Sequence, residues 1–161
     1  YQAGDYIGKL DAKRKLESQM AYHGNFKPYI ENIADSLKRY SSQRDKQKGE
    51  AFVHGFTLAM TSQNQFYRPI SELDNDGGYA DIFLAPLCDS YKDMKDSYII
   101  ELKYCKSNST DEQLKQLFAE ASAQISRYAD SDLVRELVKT TQLHKLVVIY
   151  QGAEMATCEE V

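Results

Sequence analysis

Two short apolar runs carry charges where a buried strand is normally apolar. The first is Gly78-Tyr79-Ala80-Asp81-Ile82-Phe83-Leu84-Ala85-Pro86, and the second is Ser97-Tyr98-Ile99-Ile100-Glu101-Leu102-Lys103-Tyr104. Alternate side chains of a strand share a face, so Glu101 and Lys103 project together while Ile100 and Leu102 point the other way. If the two runs pair as a hairpin, Asp81 joins that group. The chain must therefore fold around a sheet that places charge beside its apolar interior.

Two carboxylates and an ammonium held together suit metal-assisted hydrolysis. The carboxylates offer hard oxygen ligands to Mg²⁺ or Mn²⁺, and the lysine can orient water or offset developing charge. Burial disfavours every one of these charges, so the group is sustainable only if its members, or a cation, compensate one another. The competing reading is a structural ion pair at a strand end, since such pairs are common.

The chain has 161 residues and 42% hydrophobic content, enough for one good core, so a single domain is expected. No apolar stretch approaches the roughly 20 residues of a membrane span, and Tyr1-Gln2-Ala3-Gly4 shows no signal-peptide pattern. The absence of an initiator methionine suggests a piece of a longer protein. Cys88, Cys105 and Cys158 form neither an even set nor a CxxC pair, which argues against a disulfide framework or a zinc site and fits a reducing cytoplasm. Cys105 reads as a packing residue at a strand end rather than a nucleophile.

Charge is unevenly spread. Residues 1–48 carry ten Lys or Arg against six Asp or Glu, net +4, whereas residues 49–161 carry ten against eighteen, net −8. A nucleic-acid partner would need the basic N-terminal segment, bound cations or a further domain to overcome phosphate repulsion. Lys13-Arg14-Lys15 and Lys38-Arg39 are candidates for phosphate contacts, or simply solvated helix faces.

Along the chain, residues 1–24 are polar and read as a connecting segment with a short helix from Lys9 to Met20. Asn25 is a candidate cap for a helix to Tyr40, whose Tyr29, Ile30, Ile33, Leu37 and Tyr40 recur at helical spacing. After a polar break at residues 41–45, a helix is expected over 47–62, with Phe52, Phe56, Ala59 and Met60 on one face and Glu50, His54 and Thr57 on an adjacent stripe. Three strands follow, near 66–70, 79–84 and 98–104; Asp74-Asn75-Asp76-Gly77-Gly78 supplies turn chemistry for the first join. A helix over 111–128 puts Leu114, Leu117, Phe118, Ala121, Ile125 and Tyr128 on one face with Gln124 beside it. A helical stretch near 133–140 leads to the continuous apolar run Leu146 to Tyr150, expected for a buried strand, and residues 155–161 suggest a last strand.

This order, with acids on the second and third strands, resembles the PD-(D/E)XK nuclease superfamily. Asp81 lies on the matching Asp-bearing strand and Glu101-Leu102-Lys103 on the matching ExK strand; Ala80 stands where a proline is usual. More specifically, the chain is similar to the nuclease-like C-terminal domain of bacterial proteins whose N-terminal part resembles an AAA-type ATPase. The similarity adds Gly49-Glu50-Ala51-Phe52-Val53-His54-Gly55-Phe56 and Ala121-Ser122-Ala123-Gln124-Ile125-Ser126-Arg127-Tyr128 and covers about residues 45–151.

The resemblance implies an α/β, restriction-endonuclease-like fold: a mixed sheet flanked by helices, with core order α-β-β-β-α-β over residues 45–161. Residues 1–44 would join it to an upstream ATPase-like domain. It implies a site in which Asp81 and Glu101 bind Mg²⁺ or Mn²⁺, Lys103 positions the attacking water or stabilises the phosphorane, Glu50 adds an acidic ligand or lies just behind one, and Gln124 borders the pocket. Other readings stay open at several positions. Glu50 also reads as a solvated helix residue or a partner of Lys103, Gln124 as a hydrogen-bond bracket to a strand, and Tyr128 as core packing. His54 reads as a packed histidine rather than a base. Tyr79, two before Asp81, is placed to stack on a base or to shield the site. Two functions follow: a metal-dependent nuclease cleaving DNA or RNA, or an inactive nuclease-fold module serving as a regulatory or interaction domain. A small-molecule enzyme on another scaffold has no phosphate loop or nucleophile motif in its favour.

Overall fold

The computed structural model describes residues 3–40, 49–73 and 79–161. The expected polar break at 41–45, the domain boundary beside it, the turn at 74–78 and the side chain of Tyr79 lie outside the described residues and side chains. The elements run α1 (Ala3–His23), α2 (Lys27–Tyr40), α3 (Glu50–Thr61), β1 (Tyr67–Leu73), β2 (Tyr79–Pro86), β3 (Asp96–Cys105), α4 (Asp111–Ala129), α5 (Asp132–Leu137), β4 (Gln142–Gln151) and β5 (Glu154–Glu160).

The five strands form one mixed sheet in sequence order. β1, β2 and β3 pair antiparallel, β3 and β4 pair parallel from Asp96/Gln142 to Cys105/Gln151, and β4 and β5 pair antiparallel. The parallel step requires a crossover, which α4 and α5 supply. The apolar runs of β3 and β4 follow from that position, since central strands covered on both faces are apolar on both.

Alternation along the strands sorts the interior into two layers. Ile82, Leu84, Tyr98, Ile100, Leu146, Val148 and Tyr150 face α1, α2 and α3. Phe83, Ala85, Ile99, Val147 and Ile149 face α4 and α5, where Ala121, Ile125 and Val134 are buried. Helix starts are fixed locally. Thr110 and Gln113 form a reciprocal capping box at α4, and the Ser131 hydroxyl accepts from the Val134 N–H at α5.

Two local expectations are corrected. The first helix is longer than Lys9 to Met20, and its C-terminal end is no loose connector: Met20 and Ala21 are fully buried, and the Tyr98 hydroxyl donates to the Met20 carbonyl at 2.6 Å. In α3 the buried positions are Val53, His54, Thr57 and Thr61, while Phe52, Phe56 and Met60 pack at the margin of the core and Ala59 is exposed. The threonines tolerate burial because each hydroxyl donates back to a helix carbonyl, Thr57 to Val53 at 2.8 Å and Thr61 to Thr57 at 2.9 Å.

Candidate active site

The site is built by the period of two in β2 and β3. Ile82 pairs with Ile100 across the two strands. One step further along that register brings positions 81 and 101 opposite each other, on the face that also carries Phe83 and Ile99. Lys103, two residues beyond Glu101, shares this face. Asp81, Glu101 and Lys103 therefore all look toward the layer that holds α4.

Asp81 is 2% exposed and Glu101 1%, so both carboxylates are withdrawn from water. The Lys103 ammonium lies 2.9 Å from Glu101 Oε1 and donates to Gln124 Oε1 of α4 at 3.1 Å. Gln124 thus brackets the lysine from the helix while Glu101 holds it from the strand. Neither Asp81 carboxylate oxygen has a hydrogen-bond partner among the described residues, although both are buried. An ammonium thus serves two buried carboxylates, and the one left over is costly to keep charged unless something else compensates it.

The structure places the other sequence candidates differently. Glu50 is half-buried in the first turn of α3, whose Val53 packs in the layer opposite to α4. Its neighbour Gly49 lies over β3, where an added Cβ would sit 3.5 Å from the Tyr104 ring. Glu50 is thus near the end of β3 that carries Lys103 and Tyr104, on the other side of the sheet. His54 is buried with Nε2 3.0 Å from the Ser71 hydroxyl oxygen, and Tyr128 packs half-buried against the α4 layer. Cys105 likewise packs at the margin of that layer.

The donor set can be tested for fit to a divalent cation. No group of three or more His, Cys, Asp or Glu side chains able to hold a metal ion is formed among the described residues. Mg²⁺, however, is typically held by one or two carboxylates, its remaining positions going to water and substrate phosphate. The two unpartnered oxygens of Asp81, beside Glu101, fit that requirement in chemistry and in charge.

A mixed sheet between helical layers, with this Asp and Glu-x-Lys arrangement on adjacent strands, defines a restriction-endonuclease-like α/β protein. The family model of the PD-(D/E)XK nuclease superfamily matches residues 48–160, and the chain belongs to that superfamily. Comparison with curated proteins and with solved structures found no match to either.

The sequence reading missed a second charged cluster, in which buried His144 lies between buried Asp96 and exposed Glu160. Its members come from three strands and lie 16 and 48 residues apart, so no local motif marks them. The parallel register of β3 and β4 and the antiparallel register of β4 and β5 together bring them into contact.

Proposed function

We propose that this protein is a Mg²⁺- or Mn²⁺-dependent nuclease that hydrolyses phosphodiester bonds of DNA or RNA. The observation that carries the reading is the buried carboxylate of Asp81, without a hydrogen-bond partner among the described residues, beside the Glu101–Lys103 pair. Asp81 and Glu101 would hold the cation; Glu50 lies at the same end of β3 but on the other side of the sheet. A bound cation supplies Lewis-acid polarisation of the phosphate and acidification of a bound water.

The chain's own groups do the rest. Glu101 fixes the Lys103 ammonium from below and Gln124 fixes it from α4, so the lysine presents its remaining N–H to the site with little freedom to reorient. A cation held in that way places positive charge where negative charge grows on the phosphoryl oxygens and keeps a water aligned for attack. The partly buried position of Lys103 limits competition from bulk water.

The resemblance of the Gly49–Phe56 and Ala121–Tyr128 helices to the nuclease-like domain of ATPase-like proteins supports an upstream ATPase-like partner domain in the same chain. Residues 1–44 would then be the join, and the burial of Met20 and Ala21 supports a join that packs on the nuclease core. The cysteine pattern supports a cytoplasmic setting; no described helix is long and apolar enough to cross a membrane.

The test is cleavage of labelled single-stranded and duplex DNA and RNA in Mg²⁺ or Mn²⁺. Cleavage that disappears in folded Asp81→Ala and Lys103→Ala proteins supports the reading. Binding of nucleic acid without turnover, undiminished by Asp81→Ala, would favour the non-catalytic module instead.

A further inference from the structure

On the sheet face opposite the candidate active site, near the start of β3 and β4, the His144 ring is buried and stacked on Tyr98 with 5.0 Å between ring centroids. Its Nε2 lies 2.7 Å from Asp96 Oδ1 of β3 and its Nδ1 lies 2.5 Å from Glu160 Oε1 of β5. A neutral imidazole has one N–H and one lone pair, and a carboxylate can only accept. With both carboxylates ionised, two such contacts at once require both ring nitrogens to carry protons. His144 is therefore an imidazolium between two carboxylates, tying β3, β4 and β5 together by side chains.

Among the described residues, Asp96 and Glu160 are the charged groups that act on the ring. Tyr98 stacks on the ring, and Tyr67 of β1 donates its hydroxyl to the Asp96 carbonyl at 2.7 Å. Burial pushes both phenols well above their usual range, so they stay neutral. Gly24, between α1 and α2, approaches the Asp96 carboxylate with backbone only.

We propose that His144 is a charge-dependent latch for the edge strand β5: as the imidazolium it holds Glu160 to the sheet, and on losing a proton to solvent it releases that end of the strand. A neutral ring must give up one carboxylate. Glu160, with its side chain 45% exposed against 10% for Asp96, is the one that water can take over. The opposite end of β5 is held separately, by Lys38 of α2 on Glu154. Fraying should therefore begin at Glu160 and leave Glu154 in place.

Burial of the ring works against its charge, yet the hydrogen bonds to Asp96 and Glu160 outweigh it and hold His144 above the usual histidine range. Because the folded value is raised, the stabilisation is complete below the unfolded value of about 6.5 and is lost as pH rises through the folded value. In that interval the opening equilibrium of the latched end should grow about tenfold per pH unit.

Nitrogen-15 NMR of the histidine rings and amide hydrogen exchange of β5, both followed across pH on the full chain, test this directly. The expected result is that His144 keeps both ring N–H groups after the ordinary histidine range is passed. Amide protection over 157–160, corrected for intrinsic exchange, should then fall as that ring titrates. Glu160→Gln, which removes the exposed partner, should flatten the pH dependence in a protein that still folds. A single ring N–H on His144 at neutral pH would overturn the latch. So would β5 protection that ignores its titration, or a Glu160→Gln protein with the wild-type profile.

Discussion

At the scale of single residues, stability and proposed function conflict at Asp81. Its buried oxygens, without a partner among the described residues, are costly to keep charged in the absence of a cation and are the reason a cation should bind. Asp81→Asn removes the charge at nearly constant shape and gives Glu101 a neighbouring amide donor. We expect it to raise metal-free stability by about 1–3 kcal/mol, read by urea or thermal unfolding, while abolishing cleavage. Lys103→Ala should do the reverse to stability, costing about 3 kcal/mol, because it strips the ammonium from the buried Glu101 carboxylate. These residues were legible in the sequence because strand alternation has a period of two: charges at 101 and 103 in an apolar run can only share a face. The Asp96, His144 and Glu160 cluster was not, since its partners meet only through strand register.

At the scale of elements, boundaries follow capping chemistry and backbone geometry. Thr110→Ala removes the hydroxyl that accepts from Gln113 N–H at 3.3 Å and should destabilise by about 1 kcal/mol in chemical denaturation, with α4 otherwise intact. Gly49, at the start of α3, has φ of 66° and ψ of −138°, a conformation that side chains resist. Gly49→Ala should cost about 1–2 kcal/mol and loosen the first turn that carries Glu50, measurable as faster amide exchange there. The helix over 111–128 was readable from its 3.6-residue stripe, and the structure runs it to Ala129. The inward face of α3 was misread for a physical reason. Thr57 and Thr61 satisfy their hydroxyls on the helix itself and so can occupy the interior, displacing Phe52 and Phe56 to its margin.

At the scale of the whole molecule, one sheet separates two apolar layers, and Asp81, Glu101 and Lys103 lie on its α4 face. The mixed sheet and its flanking helices were foreseen from the resemblance to the nuclease superfamily, and the burial of β4 from its continuous apolar run. The burial of the end of α1 was not, because its core contacts come from Met20 and Ala21 at the tail of an otherwise polar helix. Net charge of −4, with +4 over residues 1–48 and −8 beyond, sets how a polyanion must approach. Nucleic-acid affinity should therefore depend on divalent metal and fall steeply with added salt, as measured by fluorescence anisotropy with and without chelator.

The most direct test is a calorimetric titration of the folded protein with Mn²⁺ and Mg²⁺, beside Asp81→Asn, with folding of both confirmed by circular dichroism. Saturable binding to the wild type that is lost in the folded variant is the predicted result, with metal raising the thermal stability of the wild type alone. Equal binding by both proteins, or none by the wild type with nucleic acid present, would contradict a cation site at Asp81 and Glu101.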